Sequence, residues 1–286
     1  MEIKLLSVIV PVYKKEKTIQ KELVELSSVL NETNYKYEII AVVDGTSLDN
    51  SYNEAKKTNS SKIKVYGYKN NYGKGQAVRY GMQKAKGDII TFIDSGGDIN
   101  KEGIVMLLEH MKWYNADIIV GSKLHSASKV NYPLKRKILT YGYYLFVKLL
   151  FGLKIRDTQT GLKAYKRKVL EKVLPRLVVK RFAFDIEILA VANYLGFTKI
   201  YDAPVEVDMD FGQSSIVGLF TSNGIWSFVN DTLAVWYRLR LVRFYDNNAK
   251  REKKLNADLG YELNTGRLKS GTYKDYLSYL FLKCYN

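Results

Sequence analysis

Four short apolar runs, each halted by a turn-forming cluster and separated from the next by a stretch of helical character, constrain this chain more than any other feature. They lie at 3–12, 37–43 and 63–68 and in the run that ends at Asp94, with helical segments at about 18–30, 49–57 and 76–85 between them. Strands alternating with helices of this length build βαβ units, and therefore a parallel sheet with right-handed crossovers. The pattern continues with a helix over 102–114, a strand over 117–120, a buried helix over 181–195 and a strand over 198–205. Open α/β sheets bind ligands in the crevice beyond the carboxyl ends of their strands, so the residues at those ends are the candidates for function.

The sharpest of these ends is Ile89-Ile90-Thr91-Phe92-Ile93-Asp94-Ser95-Gly96-Gly97-Asp98. A β-favouring run stops in two carboxylates on a glycine-rich turn. Asp94 and Asp98 offer hard oxygen ligands suited to Mg²⁺ or Mn²⁺ carrying a substrate's phosphates. Three further strand ends supply polar groups: Pro11 and Tyr13 with Glu16, then Asp44, then the segment from Lys74 to Arg79. Asp44 suits hydrogen bonds from a base or ribose, and Lys74 and Arg79 suit the neutralisation of phosphates. Other phosphate motifs fail. The Gly73-Lys74-Gly75 turn lacks the third glycine of a dinucleotide fingerprint, and no P-loop spacing occurs. Ile99 and Val105 stand where an EF-hand requires Gly and Glu.

Composition narrows the function classes. With 286 residues, 47% of them hydrophobic, the chain suits one large α/β domain or one domain plus an appendage. Cys284 is the single cysteine, which excludes an internal disulfide, and the two histidines, His110 and His125, leave no basis for a histidine-rich metal site. The apolar start at 1–13 reads as a first strand rather than a signal peptide. The best apolar run, 141–155, is broken by Lys148 and is too short to cross a bilayer. The net charge of +16 calls for an anionic partner: nucleic acid, a membrane surface or phosphorylated substrates. A nucleic-acid binder would have no use for Asp44, Asp94 and Asp98 in one crevice, because an acidic pocket without metal repels phosphates. Between 216 and 245 the aromatics Trp226, Phe228, Trp236, Tyr237, Phe244 and Tyr245 alternate with Arg238, Arg240 and Arg243. That mixture suits amphipathic helices on an anionic bilayer, joined by the aromatic helix around Lys148. The remainder, 247–286, reads as a charged, Tyr-rich tail with a short helix near 273–284.

At this point the chain resembles a known family. Ser7-Val8-Ile9-Val10-Pro11-Val12-Tyr13, Glu38-Ile39-Ile40-Ala41-Val42-Val43-Asp44, Gly73-Lys74-Gly75 through Arg79, and the run into Asp94 are similar to family 2 glycosyltransferases of the GT-A fold. Asp157-Thr158-Gln159-Thr160-Gly161-Leu162-Lys163 and Phe182-Ala183-Phe184-Asp185-Ile186-Glu187 resemble the branch holding dolichyl-phosphate mannose synthases and polyprenyl-phosphate glucosyltransferases. The resemblance covers about 5–245. It implies an α/β, Rossmann-like, mostly parallel sheet flanked by helices: a catalytic domain over 1–215, membrane-surface helices over 216–246, and the tail beyond.

It also implies site roles. Pro11, Tyr13, Glu16 and Asp44, with Lys74 and Asp94, would bind the nucleotide. Asp94 matches the first Asp of the family's Asp-x-Asp motif, but Gly96 replaces the second, so either Asp94 and Asp98 share the Mg²⁺ or Mn²⁺ or the metal is held more weakly. Lys123 stands where the family usually has Arg, keeping the charge without the bidentate fork. Asp157 and Gln159 would orient the sugar or acceptor. The implied reaction moves a hexose, with inversion, from GDP-mannose or UDP-glucose to a polyprenyl phosphate at the cytoplasmic face of a membrane, the enzyme being peripheral and lacking a transmembrane helix. Catalysis would come from positioning and charge, with Asp94, Arg79 and Lys123 near the phosphates. The competing expectation is transfer to a saccharide or protein hydroxyl, which would need Asp157 or Asp185 as base. Oligomeric state is left open.

Overall fold

The computed structural model describes residues 2–131, 134–208, 222–246 and 251–268. Its first half follows the alternation in the sequence. In order come β1 (Leu6–Val12), α1 (Ile19–Asn31), β2 (Tyr37–Asp44), α2 (Ser51–Lys56), β3 (Ile63–Tyr68), α3 (Lys74–Lys84), β4 (Ile89–Ile93), α4 (Gly103–Trp113) and β5 (Ile118–Ser122). The second half adds β6 (Lys129–Asn131), α5 (Leu134–Phe151), β7 (Leu162–Lys166), α6 (Arg167–Val173), α7 (Phe184–Tyr194), β8 (Ile200–Pro204) and β9 (Glu206–Asp208). It closes with α8 (Ser222–Arg240), β10 (Arg251–Asn256) and β11 (Tyr261–Leu268).

Seven strands form the central sheet in the order β3-β2-β1-β4-β7-β5-β8. Every pairing in it is parallel except those of β7, which runs antiparallel to both β4 and β5. Both faces of the sheet are covered. Along β1, Val8 and Val10 point into one core with Leu23 and Leu26 of α1, while Ile9 points into the other with Val78 and Met82 of α3. This period-two division explains why the strands read as continuous apolar runs rather than alternating ones. Helix α1 buries Ile19, Leu23, Leu26 and Leu30, the three- and four-residue spacing of a single helical face.

Three features depart from expectation. First, 162–166, which the strand pattern left unassigned, forms a central strand; Leu162 and Ala164 enter one core, Tyr165 the other, and Lys163 is neutralised rather than solvated. Second, the expected membrane helices over 216–246 are in part core. On α8, Ala234, Val235, Arg238 and Leu239 are buried, as are Phe244 and Tyr245 after it, because the helix packs on α7 and Tyr245 Oη donates 2.7 Å to buried Glu187. Residues 216–221 lie outside the described residues. Third, part of the expected tail is a β-hairpin, β10–β11, that docks on the sheet domain. The expected helix near 273–284 also lies outside the described residues.

Candidate active site

The antiparallel course of β7 decides what meets at the sheet edge. Its first residue pairs with the last of β4, Leu162 opposite Ile93, so the 157–161 segment reaches the same edge as the carboxyl ends of β1, β2, β4 and β5. Asp94 follows β4 there, and its backbone N–H donates to the Gly161 carbonyl at 2.9 Å. Gly161 is required by close approach: a Cβ at this position would lie 1.9 Å from Asp94 Oδ2. The next turn is tied back to β1, because Ser95 Oγ donates to the Pro11 carbonyl at 2.6 Å.

A chain of alternating charges runs along this edge. Lys74 Nζ, at the start of α3, lies 2.9 Å from Asp94 Oδ2 and 3.3 Å from Asp185 Oδ2 on α7. Lys163 Nζ lies 2.5 Å from Asp185 Oδ1 and donates to the Thr160 carbonyl at 2.6 Å. Lys123 Nζ lies 2.7 Å from Asp157 Oδ2 and donates to Thr160 Oγ1 at 2.7 Å. Asp157 also accepts from the Lys123 and Gln159 amides and from Thr160 Oγ1. Burial alone would push the Asp157 carboxyl up, but the Lys123 charge and these hydrogen bonds hold it at about 2. Burial pushes the Lys163 ammonium down against the pull of Asp185. For Lys74 the neighbouring Asp185 and Asp94 charges outweigh burial and raise it.

Other expected residues stand nearby in different roles. Asp44 is 3% exposed, and its two oxygens accept from the Tyr72 and Gly73 amides, both at 2.7 Å. It braces the loop between β3 and α3, where Gly73 has φ +99°. Pro11 is buried in β1, whereas Tyr13 is exposed. Exposed Glu16 accepts from the Asn50 amide at 3.0 Å, linking the loops after β1 and β2. Gln159 is half-buried, with its side-chain amide on Thr158 Oγ1. Arg79 is not brought to the edge. It is 3% exposed on α3, with Glu187, Lys180 and the phenol of Tyr261 as neighbours. Five residues along a helix is a turn of about 140° past Lys74, which aims the two side chains differently.

Asp94 Oδ1 is buried and has no hydrogen-bond partner. That is an acceptor oxygen with free lone pairs, as a hard cation requires. Half-buried Asp98 follows on the same turn. No cluster of three ligating side chains exists among the described residues. A site of one or two carboxylates completed by substrate phosphates is how Mg²⁺ is usually held, so the residues fit the ion.

Several residues here escape a reading by strand ends. Lys163 sits inside a strand and Asp185 inside a helix, and Thr160 joins both lysine clusters through its carbonyl and hydroxyl. Half-buried Lys180 and exposed Arg181 lie against the start of α3, and only glycine fits there: a Cβ on Gly75 would meet the Arg181 carbonyl at 2.7 Å. The tight Gly73-Lys74-Gly75 spacing was the one sign of such a contact in the sequence.

The family model described as "Glycosyl transferase family 2" matches residues 7–174. The chain is 33% identical over 205 residues to a dolichyl-phosphate beta-glucosyltransferase of Drosophila melanogaster, covering 66% of this chain and 63% of that protein. It is 32% identical over 206 residues to the Homo sapiens protein of the same name, covering 67% and 64%. The match thus spans less than two thirds of these relatives' length. Among solved structures, glucosyl-3-phosphoglycerate synthase of Mycobacterium tuberculosis with Mn²⁺, UDP-glucose and phosphoglyceric acid superposes with a TM-score of 0.58 at 14% identity, covering 91% of this chain and 86% of that one. The same protein with Mg²⁺ and UDP gives 0.60 at 15% identity, covering 91% and 87%. At that identity the likeness concerns the fold.

Proposed function

The chain belongs to glycosyl transferase family 2, and on that premise we propose that it transfers glucose from UDP-glucose to a dolichyl-type polyprenyl phosphate at a membrane surface. The relatives named for that activity support the reading. One observation carries it further: neither carboxylate considered as a base is free to act as one. Asp157 is held at about 2 with its oxygens engaged, and Asp185 is 1% exposed between Lys74 and Lys163. A hydroxyl acceptor needs a proton removed, whereas a phosphate monoester is already anionic near neutral pH. The crevice therefore favours a nucleophile that needs no base.

In this reading a phosphate oxygen of the lipid attacks the anomeric carbon as the bond from that carbon to the diphosphate breaks. The configuration inverts and the nucleoside diphosphate leaves with the bonding pair. Asp94, with Asp98 beyond it, would hold Mg²⁺ or Mn²⁺, which when bound neutralises charge gathering on the departing diphosphate. Lys74 stands at Asp94 to share that neutralisation, and Lys123 holds Asp157 and Thr160 as a rigid wall against the sugar or acceptor. Because the array is fixed before substrate arrives, little reorganisation accompanies the charge movement.

The lipid reaches this edge from α5, whose outer face exposes Ile138, Leu139, Tyr141, Leu145 and Leu149, the last 84% exposed. Lys148 and Lys154 are exposed beside it. No helix among the described residues is long and apolar enough to cross a membrane. An apolar stripe edged with cations fits attachment in the plane of an anionic, cytoplasmic leaflet. The direct test offers labelled UDP-glucose with a polyprenyl phosphate or the corresponding polyprenol. We expect label to enter organic solvent with the phosphate alone. Equal transfer to the alcohol would overturn the base-free reading.

A further inference from the structure

The β10–β11 hairpin lies beyond the 7–174 match to the family, yet it grips the loop that leads into the candidate site. Its turn carries Asp258, whose Oδ1 accepts from the Lys69 amide at 2.9 Å and whose Oδ2 accepts from the Asn70 amide and side chain, both at 3.0 Å. Two residues further along the same loop, the Tyr72 and Gly73 amides donate to Asp44. Four amides of the β3–α3 loop are thus held by two carboxylates, one from the sheet and one from the hairpin. The next residue is Lys74, whose ammonium reaches Asp94 and Asp185.

The hairpin is anchored apart from this contact. Leu259 and Leu263 are buried, and Asn264 Nδ2 donates to the Pro175 and Leu177 carbonyls. Tyr261 packs on Tyr80 of α3 with ring centroids 5.9 Å apart, and its hydroxyl pairs with the side-chain amide of buried Gln76. Asn256 Nδ2 donates to Tyr72 Oη at 3.3 Å. Tyr261 and Asn264 thus set the hairpin on α3 and on the 175–177 segment, while Asn256 and half-buried Asp258 reach the loop. Left alone, a glycine-containing surface loop samples many conformations, each of which moves the first turn of the helix it opens.

We propose that the hairpin is a positioning element for the donor crevice and that Asp258 is the positioning residue which, through the 69–73 loop, sets Lys74 against Asp94 and Asp185. The proposal rests on reading that crevice as the nucleotide-sugar site. Its chemistry is ordinary: a carboxylate accepting two backbone N–H groups makes charge-assisted hydrogen bonds, and an amide or methyl in its place does not.

The experiment compares wild type with Asp258→Asn and Asp258→Ala. Steady-state kinetics should show KM for the nucleotide-sugar donor raised by about tenfold, with KM for the lipid phosphate unchanged, as expected when one charge-assisted contact is lost. A merely structural role would instead reduce the active fraction and leave both KM values alone. Hydrogen exchange on the peptide spanning 69–76 supplies a readout independent of any substrate. Faster exchange in Asp258→Asn with unchanged protection over β1 and β4 supports the proposal. Exchange equal to wild type, or an unaltered donor KM in folded protein, overturns it. Should wild type itself bind no nucleotide sugar, the functional reading fails while the exchange result still decides whether Asp258 holds the loop. Should Asp258→Ala not fold, Asp258→Asn, which keeps the shape and one acceptor, carries both measurements.

Discussion

At the scale of single residues, the contact between Gly161 and Asp94 is the tightest constraint in the site. The strand-end aspartate is seated on a backbone with no side chain, and any Cβ would collide with its carboxylate at 1.9 Å. Carboxylate and main chain would both have to move, by an amount comparable to an ångström. A displacement of that size at a positioned catalytic group costs on the order of 100-fold in rate. Gly161→Ala should therefore lower kcat/KM by about that factor in the folded variant. Circular dichroism with steady-state kinetics checks this, and full activity in a folded variant would contradict the seat assigned to Asp94. Residue-scale reading of the sequence reached Asp94, Lys74, Lys123 and Asp157 because strand ends and family motifs mark them. It did not foresee the burial of Arg79, since a charged residue in a helical segment shows no sign of which face it occupies. Glu187 and Tyr261, its actual neighbours, come from elements 108 and 182 positions away in the chain.

At the scale of elements, the alternating strands and helices of the first 122 residues were legible because period and turn chemistry agree there. Strand β7 was not, because a buried lysine inside a strand mimics an exposed segment. Asp185, supplied by α7, and the Thr160 carbonyl make its burial tolerable. The hairpin was hidden for a similar reason, since Lys253, Lys254 and Leu255 on β10 are exposed and carry no apolar alternation. Helix α5 exposes an apolar outer face, and in the proposed function its stripe is the bilayer contact. Replacing Leu145 and Leu149 with glutamate removes two insertable side chains, each contributing about 1.5–3 kcal/mol if fully buried. Sedimentation with phosphatidylserine-containing vesicles should show the bound fraction falling by at least tenfold for the double variant, even if only half of that contribution is realised. Undiminished sedimentation would place the membrane contact elsewhere.

At the scale of the whole molecule, the charge is divided by purpose. The chain carries a net +16, yet at the crevice edge carboxylates and lysines are paired nearly one for one. In the proposed function this excess would favour anionic membranes and phosphorylated substrates. Pairing keeps the crevice close to neutral, and in the proposed function a nucleotide diphosphate and its cation enter it together. That coupling is the central claim: Asp94 with a divalent ion forms the donor site, and neither suffices alone. Calorimetric titration of UDP-glucose into wild type and Asp94→Asn, each with Mn²⁺ and with chelator, tests it most directly. The account predicts measurable binding for wild type with Mn²⁺, and binding weakened at least about tenfold by chelator or by the substitution, as for loss of an ion-held phosphate contact. Equal affinity across all four titrations, or no binding in any of them, would contradict it.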